Sequence, residues 1–195
     1  MKKTLLLIGT LLLTAGSAFA YSMPRWGMTS IDVYLPEHEN SGLVRSVFEE
    51  WSSASGGRLK FRYQATRFAS TNAPIKIEFK NEKAPYYVTT SKRSETTGYF
   101  TNMDNGFINQ GKLIVYSRTR EGKDAEYNQL KNSITNDIGY ILGLEKIYGA
   151  CEGDDASAMC INQRGAGSGI TPKDIENITK KYDRSSDDIK ERKNK

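Results

Sequence analysis

The sequence predicts one α+β domain, and three observations lead to that fold class. Ile31, Val33 and Leu35 alternate with polar or less apolar residues, which is the period of a strand with one buried face. Two longer segments, 42–54 and 127–142, carry apolar residues at helical spacing. After its first 20 residues the chain is long enough for one hydrophobic core and too short for two domains of typical size.

The predicted elements follow one another as a strand, a helix, four further strands, a second helix and a terminal helix. Asn105 and Gly106 fit the turn between the fourth and fifth strands, because both residue types tolerate a positive φ. Thr171, Pro172 and Asp174 are residue types that favour the start of a helix. The predicted strands are 31–35, 59–64, 74–79, 98–102 and 112–117, and the predicted helices are 42–54, 127–142 and 171–182.

The first 20 residues have the three parts of a secretory signal peptide. Lys2 and Lys3 precede a largely apolar run, and the segment ends in small residues at Ala18 and Ala20. A membrane anchor is the alternative, but the apolar run is shorter than the roughly 20 residues that cross a bilayer. We therefore expect a cleaved signal peptide, a secreted or periplasmic protein, and no stable membrane insertion after cleavage.

Three segments are thus expected: the signal peptide at 1–20, one folded domain at 21–183, and a tail at 184–195. The tail is charged and lacks apolar periodicity, so we expect it to be disordered. Removal of Lys2 and Lys3 lowers the formal net charge from +5 to +3. This mild excess comes without a basic stripe or a nucleic-acid motif, so we expect no nucleic-acid partner, and we expect a monomer.

The chain contains two cysteines, Cys151 and Cys160. Export to an oxidising compartment favours a disulfide between them that closes a short loop. Zinc ligation by the pair is the alternative, but two thiols alone do not make a zinc site.

A stretch in and after the predicted second helix has the spacing of a zinc-protease active site but not its residues. Metzincin metallopeptidases carry the motif HExxHxxGxxH on a helix and the turn that follows it. On that template the three metal-ligand positions fall on Asn136, Tyr140 and Lys146, the general-base position falls on Asp137, and the glycine is Gly143. The stretch therefore resembles a metzincin site whose motif has become NDxxYxxGxxK.

The chain as a whole resembles the matrixin branch of the metzincins, of the secreted bacterial type, over about 26–182. The residues that carry the resemblance are Trp26, Trp51, the Asn105–Gly106 turn, Ser157 to Met159 as a Met-turn, and the terminal helix. It implies a metzincin-like fold, with a twisted mixed five-stranded sheet packed on two helices, a Met-turn and a C-terminal helix. It also implies a peptide cleft between the edge strand and the Met-turn, with Gly143 and Met159 as structural residues.

The residues at the motif positions are poor zinc ligands. Asn136 offers a neutral amide oxygen, and a tyrosine phenol such as that of Tyr140 must lose a proton of pKa about 10 before it coordinates well. The Lys146 ammonium repels a metal ion unless it loses its proton. Asp137 keeps a carboxylate, but its side chain is one methylene shorter than Glu. We therefore expect no catalytic residue and no bound metal or cofactor, with these four positions vestigial.

Other residues near the motif do not rescue a metal site. His38, the only histidine, follows the first strand, and we expect it to be exposed and far from the cleft. The acidic residues Glu145, Glu152, Asp154 and Asp155 lack the spacing of a calcium loop, so a solvated acidic turn is expected.

Two features are expected to supply the order that a metal would give. One is the disulfide between Cys151 and Cys160, which would constrain the loop around Met159. The other is an ion pair between Asp137 and Lys146.

Three functions remain open after these observations. We favour a secreted pseudo-protease that binds a peptide or protein ligand in the former substrate cleft, for example by strand addition near 98–102. The first alternative is an active zinc-dependent endopeptidase with unusual ligands. The second is a purely structural or interaction domain.

Overall fold

The computed structural model describes residues 24–85, 97–145, 147, 156–160 and 169–183 of the chain. Several sequence predictions concern residues outside these ranges: the signal peptide, the tail, Lys146, Cys151, and the acidic residues Glu152, Asp154 and Asp155. Those predictions stay predictions.

The described chain folds into strands and helices that include every predicted element. The strands are β1 (Arg25–Trp26), β2 (Ser30–Tyr34), β3 (Lys60–Gln64), β4 (Ile75–Lys83), β5 (Thr97–Asp104) and β6 (Phe107–Arg118). The helices are α1 (Ser41–Ala54), α2 (Arg67–Asn72), α3 (Tyr127–Ile141) and α4 (Pro172–Lys181). The sequence does not predict β1 and α2, because elements of two and six residues are too short to show a period.

The six strands form one sheet in the order β1-β6-β4-β2-β3, and β5 pairs with β6. All pairings are parallel except that of β5 with β6, which form an antiparallel hairpin. The connections through α1 and α2 bring the chain back to the same end of the sheet, which parallel pairing requires. The fold is therefore a mixture of α and β structure with a largely parallel sheet, compatible with the predicted α+β class. The sequence predicted five strands, whereas the sheet of the described structure has six, because it includes the short strand β1.

The main hydrophobic core lies between the helices and one face of the sheet. The predicted inward residues of α3, namely Leu130, Ile134, Ile138 and Ile141, are all buried. They share one hydrophobic cluster with apolar residues of α1 and of the central strands β2, β4 and β6. Each fully buried side chain of this size contributes about 1.5–3 kcal/mol by leaving water, so this cluster fixes where α3 lies against the sheet.

Gly143 ends α3 in the manner that a glycine favours. Its φ is +83°, its amide donates to Tyr140 O at 2.8 Å, and the Leu144 amide donates to Gly139 O at 2.9 Å. This pair of bonds is the Schellman motif, in which glycine adopts the left-handed conformation after the last helical turn. A methyl group added at Gly143 would overlap Pro24 O, so the close approach of the N-terminal segment also requires a glycine here.

The N-terminal segment closes the C-terminal end of α3. Trp26 is 1% exposed, and its indole Nε1 donates a hydrogen bond to Ile141 O at 2.8 Å. The Tyr182 hydroxyl accepts from the Trp26 amide at 3.3 Å and donates to Leu142 O at 2.8 Å. Burial raises the pKa of Tyr182, against the smaller effects of the bond to Trp26 and the charge of Arg25. These bonds satisfy carbonyl oxygens that a helix end leaves without an intrahelical partner.

Lys181 lies beside this closure at the last turn of α4. Burial lowers the pKa of Lys181 to about 8; the positive charge of Arg25 adds to this shift, while the negative charge of Glu145 opposes it. The Arg25 Nη1 donates to Lys181 O at 3.2 Å, so a second cation caps the same helix end.

Among the described residues, no helix combines the length and the apolar composition that a bilayer span requires.

Gly143→Ala is expected to destabilise the protein more than Gly122→Ala. Gly143 and Gly122 have φ values of 83° and 84°, so each substitution carries a similar backbone cost of about 1–2 kcal/mol. The new methyl group would overlap Pro24 O at Gly143, whereas nothing lies within 4 Å of it at Gly122. Overpacking should add about 1–3 kcal/mol at Gly143. Urea unfolding of both variants measures the difference, and equal losses would contradict the close approach to Pro24.

Candidate functional site

Three motif positions of α3 lie beneath the protein surface. Asn136 and Asp137 are 0% exposed and Tyr140 is 6% exposed. Asn136 and Tyr140 are four residues apart and therefore share one face of the helix. That face lies against residues 156–160, which we call the Met159 turn.

Asn136 and Tyr140 connect α3 to the Met159 turn by hydrogen bonds. The Asn136 Nδ2 donates to Ala158 O at 2.6 Å, and the Tyr140 hydroxyl donates to Met159 O at a longer 3.5 Å. Among the residues that the structure describes, the buried Oδ1 of Asn136 has no hydrogen-bond partner. Two of the predicted ligand positions are thus brought together and engaged with backbone carbonyls of the turn.

Asp137 points in a different direction, toward β5. Its Oδ2 accepts a hydrogen bond from Thr97 Oγ1 at 2.6 Å, and the Thr97 side chain is 0% exposed. The sequence analysis did not single out Thr97, because a threonine at the start of a strand carries no signal of a buried partner. Lys146 lies outside the described residues, so its ion pair with Asp137 stays a prediction.

Met159 packs directly beneath α3. It is 1% exposed, and a methyl group added at Gly139 would overlap its Sδ and lie 3.0 Å from Trp51 Cζ2. The Trp51 Nε1 donates to Thr135 O at 3.1 Å, which fixes α1 against the same helix. Because Gly139 has no side chain, α3 can pack closely at this position against both Met159 of the turn and Trp51 of α1.

Asp174 of α4 anchors the Met159 turn from its other side. The carboxylate is 0% exposed. Its Oδ1 accepts from Ser157 Oγ, and its Oδ2 accepts from the amides of Ala158 at 2.8 Å and Thr171 at 2.9 Å. A hydrogen-bonded carboxylate in this position ties the turn to the first turn of α4 through charge-assisted bonds.

Asp174, like Thr97, is a site residue whose role the sequence analysis missed. The predicted start of α4 is present, with Thr171 and Asp174 forming a capping box. A capping box accounts for an acid at this position by local bonds alone. The additional bonds to Ser157 and Ala158 connect residues distant in sequence, so the helix-start signal gave no indication of them.

Cys160 ends the Met159 turn in the interior of the protein. It is 0% exposed, its amide donates to Ser157 O at 3.2 Å, and it forms an isolated parallel bridge with Ile147. Its predicted disulfide partner, Cys151, lies outside the described residues. The disulfide therefore stays a prediction.

His38 is exposed, as expected from its loop position. Its ring stacks on Phe79 with the ring centroids 4.1 Å apart, and its Nδ1 accepts from the Asn40 amide at 3.2 Å. Within the described part of the chain, no three or more His, Cys, Asp or Glu side chains are grouped so that they could hold a metal ion.

The three described motif positions do not fit zinc. Asn136 can offer one neutral oxygen, since its nitrogen is engaged with Ala158 O. The Asp137 carboxylate accepts from a buried threonine, and the Tyr140 hydroxyl is directed at a carbonyl. None of the three is the imidazole or thiolate that zinc sites in proteins commonly use. The donor set therefore differs from that of a zinc protease.

A cavity of about 920 Å³ lies elsewhere, between α1, α3 and the start of α4. It is lined by residues that include Arg45, Glu49, Lys131 and Ile175, and the ion pair of Lys131 with Glu50 at 2.7 Å lies in its wall. It contains none of the motif residues, so it is separate from the predicted peptide cleft.

Asp174→Asn is expected to lower the free energy of unfolding by about 2–4 kcal/mol, because an amide cannot accept from all the donors that surround this buried carboxylate. Glu176→Gln is the matched control, since Glu176 is exposed on the same helix. Urea unfolding of both variants measures the losses. A loss for Asp174→Asn no larger than that of the control would show that Asp174 does not anchor the turn.

Comparison with known proteins does not identify a family for this chain. No protein-family model matches the chain, and no curated protein matches it at a significant level. The resemblance to metzincins therefore stays a prediction from the sequence.

Proposed function

We propose that the chain is a secreted, matrixin-like domain that binds an extended peptide or protein segment and does not cleave it. The observation that carries the proposal is the hydrogen bonding of Asn136 and Tyr140 to the Met159 turn. At the positions of two metal ligands in the resembled family, these side chains bond directly to carbonyl oxygens. These two side chains are thus engaged with the protein's own backbone.

Burial of the motif residues supports the absence of catalysis. A zinc peptidase needs an open coordination position at which water and the substrate carbonyl can bind. Asn136 and Asp137 are 0% exposed, and Tyr140 is 6% exposed. These three side chains therefore present almost no surface of their own to water or to a substrate.

The arrangement around α3 supports the matrixin-like part of the proposal. The resemblance implies a peptide cleft between an edge strand and the Met-turn. In this chain β5 is bonded to α3 through Thr97 and Asp137, and Met159 packs under Gly139 of the same helix. The helix is thus flanked by both of the features that the resemblance assigns to the cleft walls.

The two edges of the sheet differ in a way that favours β5 as the binding edge. Exposed edge strands commonly carry charged residues that discourage pairing with another chain. At the β3 edge, Lys60 and Arg62 are exposed, and Arg62 forms a bidentate ion pair with Asp32 at 2.7 and 3.1 Å. From Thr97 to Asp104, β5 contains no Lys, Arg or Pro, and among the described strands it pairs only with β6. An added strand would meet fewer obstacles there.

Purified mature protein is expected to contain no stoichiometric zinc and to leave labelled casein uncleaved. The measurements are metal analysis by mass spectrometry and a fluorescence assay of casein cleavage, each with and without a chelator. The matched variant carries Asn136→His, Asp137→Glu, Tyr140→His and Lys146→His. This revertant is expected to bind about one zinc ion per chain, because it restores three imidazoles at the spacing of the motif.

Stoichiometric zinc in the wild-type protein together with chelator-sensitive cleavage would overturn the proposal in favour of an active endopeptidase. A folded revertant that binds no zinc would contradict the matrixin-like scaffold. Unfolding of each protein by circular dichroism distinguishes that outcome from misfolding.

A further inference from the structure

The face of the sheet opposite α1 and α3 is polar, and charged side chains lie across it. Phe61 of β3, Ile77 of β4 and Leu113 of β6 pack into or against the main core. Since successive side chains of a strand point to opposite faces, their neighbours point the other way, toward what we call the outer face. Five cationic residues of three strands lie on the outer face, and we call them the cation band: Lys60 and Arg62 of β3, Lys76 and Lys80 of β4, and Lys112 of β6.

The strand registers place the cation band along one diagonal of the outer face. Tyr34 of β2 pairs with Gln64 on one side and with Lys76 on the other, and Lys76 pairs with Lys112. With strands about 4.8 Å apart and a rise of about 3.3 Å per residue, the band is about 28 Å long. The sequence shows no basic stripe, because the band forms only when three separate strands enter one sheet.

Two lysines at the centre of the band lie directly opposite each other. Lys76 and Lys112 are cross-strand partners, and like charges at such positions destabilise a sheet. The Lys76 Nζ donates to Thr71 O at 2.6 Å, and Lys112 forms an ion pair with Glu78. The fold does not need two cations here, so their pairing points to a ligand that carries negative charge.

Carboxylates within the band keep its charge density low. Arg62 forms its ion pair with Asp32, and the Lys80 Nζ lies 4.0 Å from Glu78 Oε1 and 3.6 Å from Glu82 Oε1. Five cations and three carboxylates leave an excess of only two positive charges along the band. A nucleic acid carries a phosphate on every nucleotide, and some of its phosphates would face these carboxylates.

A polysaccharide in which charged and neutral sugars alternate fits this pattern better. Its carboxylates are widely spaced, and its hydroxyl groups can donate charge-assisted hydrogen bonds to acids such as Asp32 and Glu78. Alternation of cations with hydrogen-bond acceptors is therefore matched by alternation of carboxylates with hydroxyl groups.

Phe100 adds an exposed aromatic ring to the outer face. It pairs with Lys112 across the β5–β6 ladder, so both side chains point to the same face, and it is 53% exposed. The face of an aromatic ring carries partial negative charge, which attracts the C–H groups of a sugar ring. A ring beside two lysines thus offers stacking next to charge pairing.

We propose that the outer face binds a linear acidic polysaccharide, in which charged and neutral sugars alternate, along the cation band. Its carboxylates pair with Lys76 and Lys112, and one of its sugar rings stacks on Phe100. This surface lies on the opposite side of the sheet from α3 and the Met159 turn. The inference therefore goes beyond the function proposed above and does not depend on it.

The test measures the binding of three ligands to the mature protein by isothermal titration calorimetry. The ligands are a hyaluronan octasaccharide, the same octasaccharide with its carboxylates reduced to alcohols, and a single-stranded DNA of eight thymidines. The first is expected to bind at least about tenfold more tightly than either of the others. Its affinity is also expected to fall at least about threefold between about 0.05 and about 0.5 M salt, because salt screens exposed charges.

Paired lysine variants separate the band from net charge. Lys76→Gln combined with Lys112→Gln is expected to weaken binding of the octasaccharide at least about tenfold. Lys173→Gln combined with Lys180→Gln removes the same charge from exposed positions of α4, outside the band, and is expected to leave the affinity unchanged. Phe100→Ser is expected to weaken binding about threefold or more. Circular dichroism confirms that each variant is folded.

Four results would contradict the proposal. Equal affinity for the octasaccharide and its reduced form would show that the carboxylates contribute nothing. Equal losses for the two lysine pairs would show that binding follows net charge and not the outer face. Tighter binding of the DNA would assign the band to a nucleic acid instead. No binding of the octasaccharide by the folded wild-type protein would remove the ligand class altogether.

Discussion

Side chains from two helices hold the Met159 turn between α3 and α4. On one side Asn136 donates to Ala158 O, and on the other Asp174 accepts from Ser157 and from the Ala158 amide. Both groups are fully buried, so these bonds form where water does not compete for them. The position of Met159 beneath Gly139 depends on this double attachment.

The same bonds, with that of Asp137 to Thr97, supply partners for polar side chains buried along α3. A polar group that is buried without a hydrogen-bond partner costs free energy. Here the Asn136 Nδ2 donates to Ala158 O of the turn, and the Thr97 hydroxyl donates to one oxygen of the Asp137 carboxylate. The helical spacing places Asn136 against the turn and Asp137 against β5, so α3 contacts both through buried side chains.

Much of the fold could be predicted from the sequence because the signals are local. The period of α3 identified its buried residues, and the Asn105–Gly106 turn has the positive φ values that its residues favour. Elements too short to have a period, such as α2, gave no signal. The attachments of Thr97 and Asp174 were also missed, because each joins residues far apart in the sequence. A residue type alone indicates which local structure it favours, but it does not indicate which distant residue it will contact.

Amide hydrogen exchange at the Met159 turn tests most directly whether protein groups hold it in place. The informative amides are those of Ala158, which donates to Asp174, and of Ile147, which donates to Met159 O. Both are predicted to exchange slowly in mature protein that has been exhaustively treated with a chelator, and about fivefold or more faster in an Asn136→Ala variant, since a lost hydrogen bond is worth about 1 kcal/mol. Fast exchange in the chelated wild type that becomes slow on addition of zinc would contradict the account.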